Sequence, residues 1–220
     1  MNEYASFLTE WRKLGILPPE GTPTTQSAPL DPSELIRQQR LERWRSICPV
    51  EFQKKIDPSL IPNQTAWNDA DSWDGSFPGL WLWSHDTGHA KTRMLWRKFG
   101  QLHVRRGLVV GRITGLNLSE EYHDAYHKNR TGEFYARCSK LQCLMLDDLD
   151  KMVLPREDAG YAETDNGARN ARMLRELFDR CYENHTPVLV TANEPISFFS
   201  ERCGESTERR MRAVCREIQL

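Results

Sequence analysis

Lys91 and Thr92 sit where two sequence patterns meet. Ahead of them Leu80-Trp81-Leu82-Trp83 is a short apolar run suited to a buried strand, followed by a polar turn containing Gly88. Behind them Met94, Leu95 and Phe99 recur at helical spacing. Strand, glycine-containing loop, Lys-Thr and helix is the plan of a phosphate-binding loop. Such a loop turns backbone N–H groups toward phosphate oxygens, brings a lysine to the terminal phosphates and offers a hydroxyl to Mg²⁺. The candidate phosphate-binding residues are therefore Gly88, His89, Ala90, Lys91 and Thr92, with Thr92 also a metal ligand. Measured against G-x-x-x-x-G-K-[ST], His85 stands in the first glycine place and Ala90 in the second. A β-carbon at Ala90 disfavours positive φ and close backbone approach to a phosphate. Taken alone, the stretch also fits an ordinary strand-to-helix turn.

Two further stretches carry complementary chemistry. Leu141 to Lys151 reads as an apolar strand ending in Asp147 and Asp148. One acid at such a place holds a metal and the next polarises an attacking water, so Asp147 is assigned to Mg²⁺ and Asp148 to catalysis. Pro187 to Asn193 is a second apolar strand ending in polar groups, and the Asn193 amide suits a donor that orients water without adding charge. A single triphosphate site is expected to require both that Asp147 lie close to Lys91 and that their strands be neighbours. His123 and His127 lie four apart, but the intervening Asp-Ala-Tyr lacks the glutamate of H-E-x-x-H, which predicts a solvated helix face rather than a metal site. Cys138 and Cys143 are too far apart for a CxxC knuckle, and the six cysteines read as reduced, buried thiols.

The elements that must position these residues follow from the rest of the chain. At 220 residues, with 39% apolar and 28% charged residues, the length suits one domain plus an appendage. A net charge of −1 neither requires nor excludes a nucleic-acid partner, no apolar run reaches membrane-spanning length, and the first residues lack a signal-peptide pattern, so a cytoplasmic protein is expected. Residues 3–14 place Tyr4, Phe7, Leu8, Trp11 and Leu14 on one helical face, and Gly15 to Pro32 forms a Pro/Thr/Ser/Gly linker. Such a helix docks on its own domain or in a partner's groove. A second helix is predicted over 33–47, with Asp31 or Ser33 as N-cap, and 51–78 reads as an irregular lead-in to the compact domain. Further on, a strand is expected over 107–113, a helix from Ser119 to His127, a helix over 133–142, a loop over 153–167 and a helix over 168–183. A basic helix with Arg209, Arg210 and Arg212 then enters a closing strand over 216–220. Lys91 to Arg112 holds seven Lys/Arg and no acid, a run suited either to a polyanion or to a solvated face. Strands alternating with helices predict an α/β domain with a parallel-rich sheet, and ligands in such sheets bind beyond the carboxyl ends of the strands.

Taken together, GLWLWSHDTGHAKTRMLW, CLMLDDLDK, FDRCYENHTPVLVTANEP and RRMRAVCREI resemble the AAA+ ATPases of the replicative-helicase-loader type, the DnaC/IstB-like group. The likeness covers roughly residues 45–220. It implies a three-layer P-loop NTPase domain over 33–220, without a C-terminal helical lid and with residues 1–14 as a helical appendage. It implies ATP and Mg²⁺ as ligands, Lys91 and Thr92 on the phosphates and metal, Asp147 on the metal, Asp148 polarising water and Asn193 reading the γ-phosphate. Arg210, rather than Arg209, matches the arginine inserted in trans into a neighbouring subunit's site, which implies a homo-oligomer. A replicative helicase held by residues 3–14 and single-stranded DNA are the implied partners. Arg93, Arg97, Lys98, Arg105 and Arg106 are then candidates for the DNA backbone, with Trp96 as a stacking platform. A transposition-helper ATPase of the IstB type, and an adaptor whose hydrolysis is weakened by His85 and Ala90, are the alternatives.

Overall fold

The computed structural model describes residues 32–57, 61–86, 88, 90–153 and 163–220. The helix expected over 3–14, the linker up to residue 31, His89 and most of the 153–167 loop lie outside the described residues. The chain divides into two compact units, residues 1–36 and 37–220, and the second carries the whole sheet.

Three helices lead in: α1 (Pro32–Ile47), α2 (Val50–Gln53) and α3 (Gln64–Ser72). The last corrects the irregular reading of 51–78. Asn63 caps α3 by accepting a hydrogen bond from the Ala66 amide at 3.0 Å, and Trp67 and Ala70 bury its inner face. Strand β1 (Gly79–Trp83) then feeds α4 (Lys91–Gly100), which continues as a π-helical turn over Gln101–Arg105. After β2 (Val110–Thr114) come α5 (Gly115–His127) and α6 (Thr131–Ser139). Helix α5 starts four residues before the expected Ser119, because the Thr114 side chain accepts from the Asn117 amide and caps it there. Strand β3 (Cys143–Asp147), a 3₁₀ turn (Leu149–Met152) and α7 (Glu163–Glu183) follow. The chain closes with β4 (Val188–Ala192), α8 (Phe198–Cys203), α9 (Glu205–Val214) and β5 (Cys215–Gln219).

All four strand pairings are parallel, in the order β2-β3-β4-β1-β5. Strand β4 therefore lies between β1, which leads to Lys91, and β3, which ends in Asp147, so the adjacency required of them is not met. The requirement is too strict, because α4 reaches β3 across β4. Alternate residues feed two cores, as both-face burial of a parallel sheet demands. Leu80, Leu82, Met145 and Leu189 pack with Met94, Leu95 and Phe99 of α4. Trp81, Leu144, Leu146, Val188 and Val190 pack with Leu174, Leu177 and Phe178 of α7. Each fully buried Leu or Val in these layers contributes on the order of 1.5–3 kcal/mol. Gly79 has no room for a side chain, since a Cβ there would fall 1.9 Å from the Val188 carbonyl oxygen of β4.

All six cysteines are free thiols, four of them buried, and burial pushes Cys143 and Cys181 up to about 12. Among the described residues no helix is long and apolar enough to cross a membrane.

Candidate phosphate-binding site

The parallel sheet brings the carboxyl ends of β1, β3 and β4 to one edge, and the α4 N-terminus sits above them. Between β1 and α4 the loop turns through Gly88, at φ 91°, and Ala90, at φ 58° and ψ 16°. A Cβ on Gly88 would meet nothing within 4 Å, so its backbone conformation, not space, asks for glycine. Ala90 is the N-cap of α4 and makes no side-chain cap. The backbone thus demands the left-handed conformation that the second glycine of the pattern supplies, and alanine adopts it at a cost of roughly 1–2 kcal/mol. His85 is not among the residues with positive φ, so its place does not call for glycine. Its ring lies edge-on to Trp83 at 5.1 Å, and Nδ1 is 3.7 Å from the Glu194 carboxylate.

Lys91 opens α4 with its side chain buried against its own loop, Nζ donating to the Ser84 carbonyl at 3.0 Å and the Asp86 carbonyl at 3.2 Å. Burial draws its pKa below the ordinary lysine value, opposed by the negative charges of Asp150, Asp148 and Asp86. Thr92 Oγ1 donates to Asp147 Oδ1 at 3.1 Å, so α4 reaches across β4 to the end of β3. Strand β4 supplies the link between them. Thr191, fully buried, donates from Oγ1 to Asp147 Oδ1 at 2.6 Å and accepts from the Asp148 amide at 2.9 Å. One hydroxyl thereby ties both acids to the strand between them. The second oxygen of Asp147 is paired with the Arg112 guanidinium.

Asp148 takes φ 52°, a left-handed turn that aspartate tolerates better than most residues, and its carboxylate pairs with Lys151 Nζ at 2.5 Å. Gly115 at the start of α5 packs against this turn, where a Cβ would lie 2.7 Å from the Asp148 carbonyl oxygen. Asp150 is wholly buried and accepts from the Asn193 backbone amide and from Asn193 Nδ2, both at 3.0 Å. That pair fixes which way the Asn193 amide is turned, since a carboxylate accepts only from its nitrogen.

Gly88, Ala90, Lys91, Thr92, Asp148, Lys151 and Asn193 line one cleft of ≈ 680 Å³, together with Phe52, Ile56 and neighbouring residues of the lead-in. That volume lies within the range of small-molecule sites. A hydroxyl and a carboxylate in contact are a hard-oxygen donor set that suits Mg²⁺. Of the predicted site residues that are described, the cleft is lined by all but Asp147, which accepts from Thr92, and Arg210. Arg210 lies on α9, paired with Asp179 of α7 at 2.5 Å and over the Tyr182 ring at 5.3 Å. It does not line the cleft.

In the basic run Arg97, Arg105 and Arg106 are exposed, while several members have partners within the chain. Lys98 is buried and donates to the Trp73 carbonyl at 2.7 Å and to Gln101 Oε1 at 2.9 Å. Arg97 makes a two-point pair with Asp71 at 2.7 and 2.8 Å, Arg93 donates to the Lys54 carbonyl, and Arg106 pairs with Asp74. Trp96 is 3% exposed beneath the Arg112 guanidinium, so its ring is not open for a base to stack on. His123 is half-buried rather than solvated, and burial lowers its pKa. Among the described residues no cluster of three His, Cys, Asp or Glu is arranged to hold a metal.

Residue reasoning missed four members of the site: Arg112, Lys151, Asp150 and Thr191. Asp150 and Lys151 lie inside the acidic stretch, and Thr191 two places before Asn193, so their positions were visible without their roles. Nothing local connects Arg112 to Asp147.

No family profile and no curated protein matches the sequence. Solved structures do resemble it. DnaI superposes with a TM-score of 0.56 at 15% identity, over 80% of this chain and 96% of that one. The DnaC helicase loader gives 0.55 at 13%, over 71% and 86%. AMPPCP-bound DnaA from Aquifex aeolicus gives 0.54 at 15%, over 71% of this chain and 45% of that one, so the likeness spans just under half of the DnaA chain. What these likenesses establish is the fold, a parallel α/β domain like those of DnaI, the DnaC helicase loader and DnaA.

Proposed function

We propose that this chain binds ATP in the cleft and acts as a helicase loader in DNA replication. The observation that carries the reading is the Thr92–Asp147 hydrogen bond at 3.1 Å, which joins the phosphate loop to the acids across an intervening strand. The α4 N-terminus and Lys91 bind the triphosphate, the ammonium leaving the carbonyls of Ser84 and Asp86 for phosphate oxygens. Thr92 and Asp147 would hold Mg²⁺, which neutralises charge on the β- and γ-phosphates when bound. Asp148 polarises the attacking water once Lys151 gives up its carboxylate, and Asn193, held by Asp150, orients toward the γ-phosphate. Arg210 lies outside its own cleft, as an arginine acting in a neighbouring copy's site must, and it would exchange Asp179 for that phosphate.

The loader assignment is supported by the DnaC and DnaI likenesses, and DNA as a partner by a DnaA structure solved with single-stranded DNA. Residues 3–14 are proposed to hold the replicative helicase, and the cytoplasm is the compartment this role requires. A second reading, a nucleotide-binding adaptor with weak hydrolysis, is favoured by the strain at Ala90 and by the cations already paired with both acids. Single-turnover ATP hydrolysis with and without single-stranded DNA tests the enzyme. Phosphate release that Asp148→Asn abolishes supports it, and release unchanged by Asp148→Asn refutes it.

A further inference from the structure

Among the described residues, Arg112 is the cation paired with the acid to which the metal has been assigned. It projects from β2, the neighbour of β3, in register with Met145, two residues short of Asp147. Its guanidinium pairs with Asp147 Oδ2 and lies over the Trp96 ring, 4.5 Å from the centroid. The Asp147 side chain is only 4% exposed and that of Arg112 24%, so solvent screens the pair weakly. The remaining Asp147 oxygen is occupied by the hydroxyls of Thr92 and Thr191. Both Asp147 oxygens therefore have partners within the chain, and its charge is offset by a side chain. A divalent cation held by Thr92 and Asp147 would meet that guanidinium at close range, and like charges sharing one carboxylate oppose each other. The buried guanidinium Nε has no hydrogen-bond partner, so the contacts that retain Arg112 are the Asp147 pair and the Trp96 ring face.

From this arrangement we infer that Arg112 is a resident counter-cation of Asp147 that competes with the divalent metal, so that the chain takes up nucleotide with little help from Mg²⁺. Removing Arg112 leaves a buried carboxylate with two hydroxyl donors and no paired positive charge, which a divalent metal would then supply. The two cations exchange on one acid. Metal loading, rather than nucleotide binding, becomes the step that readies the site. The inference rests on the nucleotide-site reading above, and its test separates the two.

The experiment is a calorimetric titration of ATP into the full chain, with Mg²⁺ and with EDTA, for the wild type, Arg112→Gln and Arg112→Lys. Manganese binding in the presence of ATP is followed in parallel by electron paramagnetic resonance. The wild type should lose less than about threefold in ATP affinity on chelation, whereas Arg112→Gln should lose more than about tenfold and hold Mn²⁺ more tightly. Arg112→Lys, which keeps the charge, should stay near the wild type. Equal metal dependence in wild type and Arg112→Gln overturns the inference while leaving the nucleotide site standing. Absence of ATP binding by the wild type under both conditions overturns both. Should Arg112→Gln fail to fold, the wild type still decides: a loss beyond about tenfold on chelation refutes the competition.

Discussion

Replacing Ala90 by glycine should make the chain more stable and its phosphate loop more receptive, the reverse of what glycine does at most helix boundaries occupied by alanine. Ala90 holds φ 58° and caps α4 without a side-chain hydrogen bond. Relief of the left-handed strain contributes about 1–2 kcal/mol in favour of glycine. Against it stands the larger backbone entropy that glycine loses on folding, roughly 0.4–1 kcal/mol. The difference is a net gain of about 0.5–1 kcal/mol, which for a chain of this size raises Tm by roughly 1–4 °C. Chemical denaturation of wild type and Ala90→Gly, read by tryptophan fluorescence, measures the stability, and ATP calorimetry measures the loop. With the Cβ gone, the backbone can approach a phosphate more closely, and affinity should rise severalfold. A loss of stability of about 0.5 kcal/mol or more, the outcome for glycine placed where alanine is comfortable, would refute the strain argument. Improved stability with unchanged affinity would show that the loop's conformation is not what limits phosphate binding.

Two further substitutions probe the scaffold around the cleft. Thr191→Val keeps the shape of the side chain but strips Asp147 of a donor and the Asp148 amide of its acceptor. It should cost about 1–3 kcal/mol in a denaturant titration, and a change near zero would mean that the hydroxyl link is not stabilising. Asp71 is held below the usual carboxylate range by its hydrogen bonds from Arg97, with the charges of Arg97 and Lys98 adding to the effect. A depressed acid pKa stabilises the fold above the unfolded value and loses that contribution as pH falls through the folded one. Asp71→Asn should therefore be less stable than the wild type near neutrality and should lose less on acidification between about pH 5 and pH 2. Parallel acid-unfolding curves for the two proteins would contradict this.

What the sequence revealed about the site was local, and what it hid was not. Leu80–Trp83, Lys91-Thr92, Asp147-Asp148 and Asn193 each announce themselves within a few residues, because an apolar run that stops at a polar group marks the end of a buried strand. The parallel α/β architecture follows from their alternation with helices. Strand order does not, since no residue near Lys91 states that β4 will lie between it and Asp147. The same limit hid Thr191, whose role exists only because its strand takes the central place. Charge counting over Lys91–Arg112 does not tell where the opposite charges sit. Asp71 and Asp74, brought over from α3 and the turn after it, pair with Arg97 and Arg106, and Asp147 claims Arg112. Helix α3 is masked by the surrounding prolines, although Asn63 stands at its start as a cap, a signal present in the sequence.

The central claim is that Lys91, Thr92, Asp147 and Asn193 serve one nucleotide. Calorimetric titration of ATP into the full chain and into Lys91→Ala tests it most directly, with circular dichroism verifying that both are folded. The account predicts saturable one-to-one binding by the wild type and a loss of at least about tenfold in the variant. Binding of equal strength by both proteins, or none by the wild type, would contradict it.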